Sequence, residues 1–112
     1  MKKPKESTFN RVGHAGYIFP TKDLTTKTQF LLVETEKELE TVIREKECDF
    51  SYYILEGKGK FIIEGIEEMC ERGDLVVIPA GKAFTYKGKL TMLLNVTPTF
   101  RPEQEETIKS IE

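Results

Sequence analysis

Few side chains in this sequence could do chemistry, and their types narrow what that chemistry could be. The one histidine, His14, sits in Gly13-His14-Ala15-Gly16. A single imidazole cannot build a paired-imidazole metal site. It could act as a general base if the N-terminal segment folds back over a site; an exposed or hydrogen-bonded loop histidine is the plainer alternative. Cys48 and Cys70 are far apart and form no Cys-x-x-Cys pair. The expectation is two free thiols in a reducing cytoplasm, with no histidine beside Cys48 to activate it. Glutamates gather in residues 36–40 and 64–71. Glu67 and Glu68 are neighbours and point to opposite faces of a strand, which argues against a catalytic carboxylate dyad; both clusters read as solvated faces. The chain carries no Gly-rich phosphate loop, nucleophile elbow or zinc spacing. Its basic and aromatic residues do not form a nucleic-acid platform.

The elements that must position these groups are short. The chain has 112 residues, 38% hydrophobic and 32% charged, with a formal net charge of -2. That length suits one domain, and the charge balance points to neither a nucleic acid nor a membrane as partner. The basic start, residues 1–7, reads as a solvated arm. Glycine and proline then punctuate a series of β-rich runs, the pattern of an all-β sandwich or barrel. Residues 29–35 and 39–44 are expected to form a hairpin. A capping box at Thr35-Glu36-Lys37-Glu38 offers a short helix as the competing reading. Residues 50–56 are apolar on both faces and read as a central strand. Gly57-Lys58-Gly59 reads as a turn, followed by strands at 60–64, 66–71, 75–78, 83–86 and 90–96. Lys87-Gly88-Lys89 reads as the last tight turn. Residues 101–112 read as a solvated or docked tail, with a short helix after Pro102 as one form.

Two segments carry a family resemblance. One is Tyr53-Ile54-Leu55-Glu56-Gly57-Lys58-Gly59; the other holds Gly73, Asp74, Pro79 and Gly81, with Phe84 three residues past the last glycine. In order and separation they resemble the two conserved segments of the cupin superfamily. The resemblance spans roughly residues 40–98. It implies a single-domain double-stranded β-helix barrel, jelly-roll-like, over residues 28–98. Residues 1–27 would form an N-terminal arm and wrapping segment, and 99–112 a C-terminal tail. It also implies where metal ligands would stand. Two histidines and a glutamate fall on Arg44, Lys46 and Phe50, and a third histidine falls on Phe84. Guanidinium and ammonium repel a cation, and phenyl has no lone pair. The expectation is therefore no metal, no cofactor and no metal-dependent oxidase or isomerase activity.

If Phe50 and Phe84 point inward as the family's ligands do, Tyr52 and Tyr86 share their faces. The expected pocket is lined by Phe50, Tyr52, Phe84 and Tyr86, with Arg44 and Lys46 near one rim. Such a lining suits a small organic ligand, carbohydrate-like or aromatic, with a cation to hold a carboxylate or phosphate. The alternative, and the weightier one, is an interior packed solid by its own side chains. From this the expected function is a non-catalytic binding or regulatory role in a cytoplasmic homodimer, with no catalytic residues assigned. Two rivals are a metal-independent sugar isomerase or epimerase, with Tyr52 or Tyr86 as acid and His14 as base, and a solid-barrel dimeric interaction protein.

Overall fold

A computed structural model describes the backbone of residues 7–11, 14–20, 24–25, 27–36, 41–98 and 105–110. Two long strands organise it: β5 (Asp49–Ile63) and β8 (Ala83–Thr97). They pair antiparallel along their whole length, from Asp49↔Thr97 to Ile63↔Phe84. The remaining described strands are β1 (Ser7–Arg11), β2 (His14–Ile18), β3 (Gln29–Thr35), β4 (Thr41–Glu45), β6 (Ile66–Glu71), β7 (Leu75–Ile78) and β9 (Glu105–Ser110). The free flank of β8 pairs first with β4, at Ala83 and Phe84, and then with β3, from Leu90 to Val96. The free flank of β5 pairs with β7, from Phe50 to Tyr53, and then with β6, from Lys58 to Ile63. Each long strand thus begins in one layer and ends in the other. One layer runs β1-β2-β3-β8-β5-β7 and the other β9-β4-β8-β5-β6. This is an all-β, jelly-roll-like fold whose pairing path does not close into a ring.

The change of layer happens where the two long strands cross, at Gly59↔Gly88. Both glycine-centred segments, expected as tight turns, are instead bends inside continuous strands. Gly57 and Gly88 have φ of 96° and 122°, which an L side chain rarely adopts. A Cβ on Gly88 would lie 2.6 Å from the Lys58 carbonyl oxygen and 2.7 Å from the Gly59 Cα. A Cβ on Gly57 or Gly59 would meet the carbonyl oxygen of Lys89 or Lys87. Only glycine lets the two backbones approach this closely while both bend.

A β-bulge sits just before the bend, between Ile54 and Glu56. The extra residue reverses which side chains face inward. Phe50, Tyr52 and Ile54 are buried in the first half of β5, whereas Phe61 is the fully buried residue of the second half. The Gly73-Asp74 turn fastens this bulge: Gly73 N donates to Ile54 O and Ile54 N to Asp74 O, both at 2.9 Å. The Asp74 carboxylate also accepts from Glu71 N at 2.8 Å, holding the turn itself. The motif thus stabilises the point at which β5 changes face.

Two other expectations change. β3 and β4 do not pair with each other; both lie beside β8, one on each side of its bend. Residues 105–110 are strand β9, paired with β4, rather than a helix or solvated tail. The N-terminal segment contributes a β1–β2 hairpin that extends the layer beyond β3. The core between the layers holds Leu31, Val33, Ile54, Leu90, Met92 and Val96. Among the described residues no helix is long and apolar enough to cross a membrane.

Thr35, at the end of β3, closes the bend from the other side. Its buried hydroxyl donates to Gly88 O at 2.6 Å and accepts from Leu90 N at 3.1 Å. Losing both bonds strands two backbone groups, at a cost of about 1–3 kcal/mol each. Thr35→Val is therefore expected to lower the denaturant midpoint clearly, with Thr35→Ser retaining most of the stability. Gly88→Ala should be worse than either in the same equilibrium unfolding measurement.

Candidate functional site

The crossing brings aromatic side chains from both layers together. Tyr52 enters from the first half of β5, where its backbone neighbours are Leu94 and Val76. Tyr86 enters from the first half of β8, opposite Phe61. Their ring centroids are 5.9 Å apart. Phe50 packs edge-on against Tyr52 at 6.3 Å and against Phe84 at 5.7 Å. Phe84 in turn meets Tyr52 at 6.1 Å. Edge-on contacts of this kind are favourable beyond the area they bury. Four aromatic residues expected in one pocket are thus in one cluster, each no more than 7% exposed.

Phe61 completes the cluster and was absent from the expected set. It lies 5.1 Å from the Tyr52 ring and 5.3 Å from the Tyr86 ring, with no exposed surface. The sequence of β5 carries a partial signal for it. That signal is blurred, because Tyr53, Leu55 and Ile62 are apolar as well; the switch of parity shows only in burial, at Phe50, Tyr52 and Ile54 before the glycines and Phe61 after them.

The two basic residues do not join the cluster. Ile43 is the residue of β4 that stands opposite Phe84 and belongs to the core, while Arg44 stands opposite Ala83 on the other face. Arg44 was expected near one rim of the pocket by sharing the parity of Phe50; in β4 it is Ile43, not Arg44, that joins the core. Arg44 is half-buried and its Nε has no hydrogen-bond partner. Lys46 lies beyond the end of β4, in a bend, and is exposed. The backbone of His14 stands opposite Thr35, at the end of β2. Its imidazole lies outside the described residues.

These side chains do not fit the metal that the fold family implies. Phe50 and Phe84 place two rings against each other where donors would be needed, and the exposed Lys46 carries an ammonium, which repels a metal ion. Among the described residues no group of three or more His, Cys, Asp or Glu could hold a metal ion.

The fold is of the cupin type, and solved structures share it. No protein-family model and no curated protein matches the sequence. Pac13 of Streptomyces, in a histidine-to-glutamine variant with uridine, superposes with a TM-score of 0.89 at 21% identity, covering 98% of this chain and 92% of that chain. Pac13 is described as a nucleoside dehydratase, and two further uridine complexes carry tyrosine-to-phenylalanine substitutions. KdgF from a Halomonas species gives 0.73 at 16% identity, covering 88% of this chain and 90% of that one. Salicylate 1,2-dioxygenase from Pseudoaminobacter salicylatoxidans, with gentisate, gives 0.68 at 17% identity; the match covers 80% of this chain and 26% of that one. The expectation of a non-catalytic role is overturned by these neighbours, which are enzymes. Missing metal ligands argued against metal chemistry, and the step from there to no catalysis does not hold.

The two thiols are poor candidates for the reacting group. Cys48 is 1% exposed and its Sγ donates to Pro98 O at 3.1 Å. Burial first, and then the Asp74 carboxylate, push the Cys70 thiol up, against a smaller pull from the Gly59 backbone. The folded protein therefore holds the Cys70 proton to higher pH than the unfolded chain does. That stabilisation is complete below the ordinary thiol range and is lost as pH rises through the raised value. The unfolding midpoint should fall in this alkaline window, and Cys70→Ala should flatten part of that fall. Iodoacetamide is expected to label neither thiol at neutral pH until denaturant is added, as mass spectrometry would show.

Proposed function

We propose that this chain is a metal-independent lyase that removes water from the sugar of a nucleoside-like substrate. The observation that carries the reading is the Tyr52–Tyr86 pair, held 5.9 Å apart inside a cupin barrel. Support comes from the Pac13 likeness, because the two tyrosines substituted there are separated in sequence by the same number of residues as Tyr52 and Tyr86. The histidine substituted there has no imidazole counterpart by the same count: stepping back equally far from Tyr52 reaches Leu39. His14 is the imidazole that remains.

Loss of water from a sugar needs a carbon–hydrogen bond made acidic by an adjacent carbonyl. A base takes that proton, the electron pair forms a carbon–carbon double bond, and the carbon–oxygen bond to the neighbouring hydroxyl breaks. A general acid protonates the departing oxygen to give water. His14 is assigned as the base. Tyr52 and Tyr86 are assigned to hold the sugar hydroxyls and to protonate the one that leaves. Phe50 and Phe84 supply apolar faces for a planar base and exclude water around the phenols, which strengthens the hydrogen bonds that form as charge develops.

The test starts with uridine and proceeds to nucleosides with a carbonyl on the sugar. Uridine is expected to raise the melting temperature, and an oxidised nucleoside to lose the mass of one water. Tyr52→Phe, Tyr86→Phe and His14→Gln should each reduce turnover by about 10²–10⁴-fold. Uridine affinity should change by less than about tenfold, since a phenyl ring keeps the packing of the tyrosine it replaces. If no nucleoside shifts the melting temperature or loses water, the reading fails. If His14→Gln alone retains full activity, the base is misassigned and the tyrosine assignment stands.

A further inference from the structure

We infer that Phe61 is the positioning residue that sets the gap between the two phenols, an inference that rests on the lyase reading above. Tyr52 and Tyr86 stand on opposite sides of the bend in the β5–β8 ladder, so no single backbone pair joins them and side-chain contacts decide how close their rings lie. Among the described ring contacts, Phe61 touches both tyrosines. Among those same contacts, Phe50 and Phe84 are paired with Tyr52. The Phe61 contacts, 5.1 and 5.3 Å, are shorter than the 5.9 Å between the tyrosines themselves. Its ring is tilted by 52° to one and 49° to the other, so it presses on both without stacking flat on either.

Phe61 is itself held on three sides. Its backbone pairs with Tyr86 on β8 and with Glu68 on β6. The bulge before Glu56 turns it inward, and its ring has no exposed surface. A phenylalanine has two side-chain torsions, and full burial leaves it one packing arrangement. The device therefore transmits the position of the β5 bend to the two hydroxyl groups. Because a misplacement of about 1 Å can cost on the order of 10²-fold in rate, a residue that never meets substrate can still set turnover.

The test is substitution with smaller, flexible apolar side chains, read on the protein and on the reaction separately. Native protein, Phe61→Leu, Phe61→Met and the control Phe50→Leu are labelled with ¹³C at the tyrosine ζ carbon. Tyr52→Phe and Tyr86→Phe assign the signals. Both Phe61 variants are expected to move the Tyr52 and Tyr86 resonances and the midpoints of both phenol titrations. Phe50→Leu should move those of Tyr52 and leave Tyr86 near its native values. With an oxidised nucleoside, the Phe61 variants should lose at least ~tenfold in kcat while KM stays within ~threefold, the signature of lost transition-state alignment. Cooperative melting of Phe61→Met guards against reading a folding defect as a positioning effect. If Phe61 substitution leaves either tyrosine at its native resonance and titration, the inference is overturned. Movement of both tyrosines in a protein that dehydrates no nucleoside supports the positioning role and sinks the lyase reading instead.

Discussion

Everything in this molecule hangs on the contact between the β5 and β8 backbones at Gly59 and Gly88. A side chain at either position would occupy space already filled by the other strand. With glycine at both, the two strands stay paired through the bend for their full length. That continuous ladder makes the two layers one hydrogen-bonded object. Without it, the strands would have to break and restart, leaving backbone groups unpaired in the interior at several kcal/mol in total. Thr35 and the Gly73-Asp74 turn attach at this place from opposite sides. Neither is chemically exotic. Both satisfy backbone groups that the bend would otherwise strand.

The same crossing explains what could be read from the sequence and what could not. The class of fold was legible because its markers are local: short β-rich runs, a Gly-Asp turn, a proline and glycine after an apolar strand. Residues 50, 52 and 54 were legible as one face because alternation within a single strand needs no knowledge of its partners. Gly57, Gly59 and Gly88 were misread for a physical reason. A glycine needed for positive φ in a turn and a glycine needed for close backbone approach leave the same mark in a sequence. Taking them as turns cut β5 and β8 into four pieces. It also hid the bulge, so Phe61 was assigned no inward position. The partners of β4 and β9 were illegible for another reason: pairing across a long separation depends on which edges the rest of the fold leaves open.

Reading function raised a different difficulty. Four positions where the family resemblance implies ligands carry Arg44, Lys46, Phe50 and Phe84, and their chemistry does speak against a metal. That inference concerned a cofactor and was carried too far when it was extended to catalysis. Acid–base chemistry needs only proton-bearing groups held in a site that excludes bulk water. Tyr52 and Tyr86 meet both conditions at 3% and 4% exposure, within a ring of phenylalanines.

The choice between a filled barrel and a working one is therefore less sharp than the sequence suggested. Packed aromatic rings are poor at stabilising charge by themselves, but they keep water from doing so instead, and they fix what lies between them. In a cluster where each tyrosine is braced by Phe61, the density of packing is what gives two phenols a defined separation. A looser interior would admit more ligands and align none of them well. On this view Phe50 and Phe84 do more than occupy space that ligands leave in related barrels. They also contact the Tyr52 ring, Phe84 doing so from the half of β8 that bears Tyr86, so the two layers are joined by several ring contacts besides those of Phe61. The bend at Gly59 and Gly88 then becomes the part of the fold with the greatest leverage on chemistry. It sets the relation between the layers, and with it the arrangement of the aromatic cluster that spans them.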